Sequence, residues 1–100
     1  MRSRTQKRRA IELNPHDTAA YLNRGNTKYR LNDYTGAIAD FDKAIEINPR
    51  NAEAFNDRGV AKRGLKDYDG AIADYDKAIE LNPQYANAYT NRAEAQALKK

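Results

Sequence analysis

Three prolines divide this sequence into blocks of equal length. Pro15, Pro49 and Pro83 are spaced 34 residues apart, and each follows a triplet of glutamate, an aliphatic residue and asparagine. When residues 18–51 are aligned with residues 52–85, 19 of the 34 positions are identical. A fixed period of this length is typical of stacked arrays in which each unit buries its apolar face against the next unit.

Each period contains the pattern of two helices. In the second half of the first period, apolar residues recur at intervals of three and four positions, which places them on one helical face. These residues are Tyr34, Ala37, Ile38, Phe41, Ala44 and Ile45. Asp33 and Asp67 precede the second helices and are predicted to cap them, because a carboxylate accepts hydrogen bonds from free backbone N–H groups. The Asn-Pro pairs are predicted to end them, because the residue before proline avoids helical geometry.

The pattern predicts six helices, and the first and last are half-units. The expected limits are near residues 3–13, 18–31, 34–47, 52–65, 68–81 and 86–98. We therefore divide the chain into a basic segment with a partial second helix (1–17), two full repeats (18–51 and 52–85) and the first helix of a third repeat (86–100). The half-units favour an excerpt from a longer array. A naturally short array and a designed array remain alternatives.

The repeated residues resemble the tetratricopeptide repeat family, whose 34-residue pattern places aromatic, Leu-Gly, Tyr, Ala, aromatic, Ala and Pro at fixed offsets. The matching residues are Tyr21, Gly25, Ala37, Phe41, Ala44 and Pro49, then Phe55, Gly59, Ala71, Tyr75, Ala78 and Pro83. The resemblance implies an all-α fold, an α-solenoid of antiparallel helical hairpins that winds into a right-handed superhelix. It also implies a protein–protein interaction scaffold that binds a peptide or partner segment in a concave groove.

Two departures from the family pattern are themselves repeated. The leucine before the glycine is replaced by Arg24, Arg58 and Arg92, and the tyrosine of the first helix is replaced by Lys28, Lys62 and Gln96. Asp40 and Asp74 recur on the helix that packs alongside. We predict a structural ladder of Arg–Asp pairs in preference to a phosphate-binding row, because a buried arginine stem still needs an acceptor for its guanidinium. The repeated glycines weaken a helix by about 1 kcal/mol relative to alanine, which indicates a packing role for them.

The resemblance further implies which residues line the groove. They are Leu22, Asn23, Asn26, Tyr29 and Arg30 in the first repeat, Asn56, Asp57, Val60 and Arg63 in the second, and Thr90, Asn91 and Glu94 in the last helix. Asparagine suits an extended peptide, because its amide both donates and accepts hydrogen bonds. The alternative for each residue is a solvated helix face. One family subtype grips a C-terminal carboxylate, but Leu22 and Asp57 stand where that clamp needs lysine and asparagine, so we expect no such clamp.

The net charge of +4 is concentrated at the N-terminus. Five of the 18 basic residues lie within residues 2–9, whereas every acidic residue lies beyond residue 10. Binding of nucleic acid or another polyanion through this segment is the alternative function. It is not the preferred one, because the segment has no aromatic residues for base stacking. The complementary half-units also predict head-to-tail homo-oligomers through residues 1–14 and 86–100.

The residues needed for catalysis or metal binding are missing from the sequence. It contains no cysteine, and His16 is the only histidine, in a predicted turn. There is no Gly-rich phosphate loop and no Ser/His/Asp set. We therefore expect no enzymatic activity, no cofactor and no metal. No apolar run reaches the ~20 residues that cross a bilayer, so we expect no membrane insertion and a cytoplasmic location.

Overall fold

Residues 16–100 are described by a computed structural model, and they form five α-helices without a strand. The helices are α1 (Thr18–Arg30), α2 (Tyr34–Ile47), α3 (Ala52–Gly64), α4 (Tyr68–Leu81) and α5 (Ala86–Lys99). Each lies within one residue of its predicted limits. The all-α solenoid of helical hairpins is therefore confirmed. The sixth predicted helix, 3–13, lies outside the described residues.

The helices stack in sequence order, and the first helix of each repeat lies on a shared face. Helix α1 packs on α2, α3 packs on both α2 and α4, and α5 packs on α4. Contacts also join α1 to α3 and α3 to α5, whereas α2 and α4 make none with each other within residues 16–100. The first helices thus converge while the second helices diverge, which makes the face formed by α1, α3 and α5 the concave one.

Single aspartates organise the turns inside the hairpins. The Asp33 amide donates to the Lys28 carbonyl at 2.8 Å and closes the end of α1. The Asp33 carboxylate accepts from the Gly36 amide at 2.9 Å and begins α2. Asp67 caps α4 in the same way, accepting from Gly70 at 3.0 Å. Both predicted N-caps are confirmed.

The Asn-Pro pairs end the second helices as predicted. Helices α2 and α4 stop at Ile47 and Leu81, with Asn48 and Asn82 as their C-caps. The Asn48 side chain then accepts from the Arg50 amide at 3.2 Å, and this bond turns the chain towards the next repeat. An equivalent bond from the Gln84 amide to Asn82 is also 3.2 Å long.

Aromatic rings fill the space that the repeated glycines leave open. Phe41 and Tyr75 are the largest fully buried side chains. A Cβ atom at Gly25 would lie 2.6 Å from the Phe41 ring, and one at Gly59 would lie 2.6 Å from the Tyr75 ring. Such contacts are too short for any side chain, so the recurrence of glycine has the packing reason that the sequence indicated. In the part of the chain that is described, no helix is long and apolar enough to cross a membrane.

Candidate functional site

The repeated arginines lie between the helices of each hairpin and bind the repeated aspartates. The Arg24 Nε and Nη2 atoms donate to the Asp40 carboxylate at 2.9 and 2.7 Å. Arg58 binds Asp74 in the same two-pronged way, at 2.9 and 2.8 Å. The predicted Arg–Asp ladder is therefore present in both full repeats.

The second repeated departure, the lysines of the first helices, serves the same aspartates. Lys28 lies 3.3 Å from Asp40, and Lys62 lies 3.1 Å from Asp74. Each nearly buried carboxylate thus faces two cations. Burial alone would raise the pKa of Asp40, but the hydrogen bonds from Arg24 and Lys28 outweigh it and hold that pKa below its ordinary value. The sequence analysis did not assign this role to the lysines, although their spacing of four residues from the arginines was visible.

The ladder also joins one repeat to the next. Arg58 Nη1 donates at 2.8 Å to Asp42 of the preceding hairpin, and Arg92 donates at 2.8 Å to Asp76. Each of the three repeated guanidinium groups also lies 5.4–5.8 Å from the centre of the aromatic ring three positions earlier. Each of these arginines binds at least one aspartate, which favours the structural ladder over a phosphate-binding row.

The concave face carries a separate set of polar contacts that link the first helices. The Asn26 side-chain amide of α1 donates to the Asp57 carboxylate of α3 at 3.3 Å. The Asn91 amide of α5 donates to the Asn56 side-chain oxygen of α3 at 3.1 Å. Four of the predicted groove residues are therefore brought together into one band across α1, α3 and α5.

Asp57 is the most perturbed acid of this band. Burial raises the pKa of Asp57 to about 6, and repulsion from Glu53 one turn away adds to the effect. Hydrogen bonds from Asn26 and Asn56 oppose the shift without cancelling it. Burial also raises the pKa of Tyr85, which the charges of Asp57 and Glu53 raise further. Glu53 and Tyr85 were not predicted groove residues, because only folding places Tyr85 of the loop before α5 beside α3.

A second band lies further along the same face. Arg63 of α3 donates to Glu94 of α5 at 2.6 Å, and the Arg63 side chain also contacts the Tyr29 hydroxyl of α1. Beneath them lies Tyr75 of α4, which is fully buried and whose hydroxyl has no hydrogen-bond partner among residues 16–100. Burial raises the pKa of Tyr75 to about 12. The charges of Arg63 and Glu94 and that of the ladder residue Asp74 act on this hydroxyl.

The remaining predicted groove residues differ in accessibility. Asn23, Arg30 and Thr90 are exposed, and Val60 is half-buried against the Tyr75 cluster. Leu22 is only 6 % exposed and belongs to the core of the first hairpin, with Phe41 and Ala37. Its side chain therefore packs within the fold and leaves little surface for a ligand.

The acids and the histidine of the described chain do not form a metal-ligand cluster, since within residues 16–100 no three His, Asp or Glu side chains are grouped as metal ligands would be. His16 is exposed and lines a shallow cleft with Lys43, Glu46 and Ile47. What the concave face offers is a row of donors and acceptors on a rigid support, which suits the recognition of an extended chain.

Comparisons with known families agree with this geometry. Models described as tetratricopeptide repeat match residues 2–52, 22–86 and 74–100, which together cover nearly the whole chain. Among curated proteins, none matches the sequence.

Solved structures of similar fold include one with a bound peptide and one in complex with pHsp70. The first TPR of Spaghetti (RPAP3) bound to the HSP90 peptide SRMEEVD is 26% identical over 90% of this chain and 72% of its own, with a TM-score of 0.85. The Arabidopsis OM64 TPR domain is 32% identical over 88% of this chain and 73% of its own, also with a TM-score of 0.85. The TPR2B domain of yeast Sti1 in complex with pHsp70 is 29% identical over 80% of this chain and 64% of its own, with a TM-score of 0.79.

Proposed function

Because the chain belongs to the tetratricopeptide repeat family, we propose that it is a non-catalytic scaffold that binds an extended peptide on the concave face of α1, α3 and α5. Structures similar to it include complexes with an HSP90 peptide and with pHsp70. The peptide would lie across the two bands, with its backbone bonded to the asparagine amides. The observation that carries the proposal is the continuous band Asn26–Asp57 and Asn56–Asn91, which spans all three first helices.

The geometry of the band supports this function. Asn91 is half-buried and Asn56 is 5 % exposed, so their side chains are held in place by the fold before any ligand arrives. A site that is already ordered loses less conformational entropy on binding than a flexible surface does. An asparagine amide can bond both the N–H and the C=O of an extended backbone, which gives affinity without demanding a particular side chain.

The direct test is binding of a fluorescent library of extended heptapeptides to the full chain, followed by anisotropy. We expect saturable binding of selected peptides that weakens about tenfold or more in an Asn26→Ala/Asn91→Ala double variant, since two charge-neutral hydrogen bonds contribute roughly 1–3 kcal/mol together. Glu46→Ala on the exposed side of α2 is the matched control and should leave the affinity unchanged. Equal affinity of all three proteins would contradict the proposed site.

Self-association is a second candidate function, favoured by the outer face of α5. Tyr89 and Leu98 are 41% and 54% exposed on this helix. Arg92 binds a single acid, Asp76, whereas Arg58 binds two. A second copy that contributes residues 1–14 would cover this face and give the head-to-tail oligomer. Light scattering that shows only monomer up to millimolar concentration would contradict it.

The basic residues 2–9 lie outside the described part of the chain. Polyanion binding through this segment and a cytoplasmic location stay predictions. Salt-sensitive retention on a polyanion column that disappears when residues 1–9 are removed would support polyanion binding.

A further inference from the structure

We propose that the groove selects peptides that place a lysine or arginine side chain against Asp57. The proposal rests on the peptide-binding function above and specifies the chemistry of its ligand. It comes from a contrast between the acids of this molecule. Asp40 and Asp74, buried inside the hairpins, each lie beside two cations, whereas Asp57 in the groove lies beside none among residues 16–100.

The acids inside the hairpins are the internal reference. Asp40 and Asp74 are 3% and 4% exposed, and each has an arginine and a lysine within 3.3 Å. This is the ordinary condition for a buried carboxylate, because removal of a charge from water is tolerated only when an opposite charge and hydrogen bonds replace the water.

Asp57 departs from this condition. It is partly buried, its nearest charged neighbour is Glu53, and the hydrogen bonds that it receives come from the neutral amides of Asn26 and Asn56. Among residues 16–100, neither Asp57 nor Glu53 forms a salt bridge. Two acids of like charge therefore share one side of the groove without a cation, and an ammonium or guanidinium group from a ligand would supply it.

The cations of the concave face are not placed to reverse this preference. Arg63 is bound to Glu94 at 2.6 Å, and Arg30 is exposed at the end of α1, about one turn beyond Asn26. A peptide with an acidic side chain at this point would meet the partly buried carboxylate of Asp57 and the exposed one of Glu53, and like charges repel. The site therefore discriminates by charge in favour of a basic residue.

The test uses N-acetylated, C-amidated heptapeptides, so that no terminal charge contributes. Each position is occupied in turn by lysine, norleucine or glutamate, and binding to the full chain is followed by fluorescence anisotropy. We expect one position at which lysine is favoured over norleucine and glutamate by about tenfold or more. In an Asp57→Asn variant this preference should fall to about twofold or less, because the amide keeps the shape and removes the charge.

Asp42→Asn is the matched control, because it makes the same chemical change on the exposed side chain that Arg58 contacts outside the groove. It should retain the preference for lysine.

The outcomes separate this inference from the function on which it rests. Saturable peptide binding with no preference for lysine, or a preference that survives in Asp57→Asn, would overturn the charge selectivity and leave the scaffold intact. Absence of saturable binding by every peptide of the set would overturn both. Because the norleucine peptides alter only the ligand, they test the inference even where a protein variant folds poorly.

Discussion

Arg58 contacts acids on two different helices, Asp74 of its own hairpin and Asp42 of the preceding one. A guanidinium group can do this because it is a planar fork with five donors, whereas an ammonium group is a point charge. The buried Asp74 depends on these cations, because a carboxylate left without a partner inside a protein costs several kcal/mol. Arg58, which departs from the family pattern, therefore offsets the cost of burying the Asp74 carboxylate.

This dependence predicts a non-additive mutant series. Arg58→Leu restores the family residue but leaves Asp74 with only Lys62, and should destabilise the chain by about 2–4 kcal/mol. The triple variant Arg58→Leu/Lys62→Tyr/Asp74→Ala removes the whole charged group, so it should recover most of the loss, since buried ion clusters are often replaceable by apolar residues. Urea unfolding followed by circular dichroism measures both. A triple variant as unstable as the single one would show that the ladder is not a self-contained unit.

Asp57 predicts a pH dependence of the opposite sign to that of an ordinary salt-bridged acid. Its pKa in the fold is about 6, above the ordinary 3.8, so the folded state binds its proton more tightly. The stability that protonated Asp57 contributes is therefore present below about pH 4 and lost as the pH rises through about 6. The groups that face Asp57 are the carboxylate of Glu53, the side-chain amides of Asn26 and Asn56, and the hydroxyl of Tyr85.

The Asp57→Asn variant removes this titration. At pH 7.5 it should be about 1–2 kcal/mol more stable than the parent, because the partly buried charge is gone. At pH 4 the difference between the two proteins should nearly vanish. Denaturant unfolding at both pH values measures the difference, and a constant difference across the range would contradict the buried-charge explanation.

At the scale of the helices, the turns inside the hairpins are closed by residues in left-handed backbone geometry. Asn32 has a φ of 66° and Lys66 a φ of 65°, at equivalent positions after α1 and α3. Asparagine tolerates this region better than lysine does, because its short polar side chain bonds locally. The turn after α3 is therefore the more strained of the two.

Substitution with glycine tests this difference. Lys66→Gly should stabilise the chain by about 0.5–1 kcal/mol, because glycine adopts positive φ without steric cost. Asn32→Gly at the equivalent turn is the control, and its gain should be smaller. Thermal unfolding of both variants measures the two gains in stability, and a larger gain from Asn32→Gly than from Lys66→Gly would contradict this explanation.

The helices could be predicted closely because their signals are local. Asp33 and Asp67 cap from the residue next to the helix, and Asn48-Pro49 stops the helix within two residues. The Arg–Asp pairs were also predictable, since both partners repeat at a fixed separation of 16 residues.

Features that depend on packing between distant segments were not predicted. Leu22 follows the groove pattern of the family, yet it fills the core, because the sequence does not say which side of α1 the next helix covers. The burial of Asp57 depends on how closely α1 and α5 approach α3. Tyr75 differs from Phe41 by one hydroxyl, and the sequence does not show that this hydroxyl lacks a hydrogen-bond partner among residues 16–100.

At the scale of the whole molecule, charge and hydrogen bonding are divided between two places. The ladder within and between the hairpins uses matched charges, and holds successive repeats together through bonds such as Arg58–Asp42. The concave face combines amide hydrogen bonds with one ion pair, Arg63–Glu94, and carries Asp57 and Glu53, which form no salt bridge among residues 16–100. In an array whose units contact only their neighbours, such a division lets the stacking remain fixed while the inner face is adapted to a ligand.

The central claim is that a ligand binds the concave face of α1, α3 and α5. Amide chemical-shift mapping of the isotope-labelled chain during titration with its best heptapeptide tests this claim most directly. The account predicts saturable shifts centred on Asn26, Asp57 and Asn91, with the exposed residues Asp42 and Glu80 of α2 and α4 unchanged. Saturable shifts centred on α2 and α4, with the amides of Asn26, Asp57 and Asn91 unmoved, would contradict it.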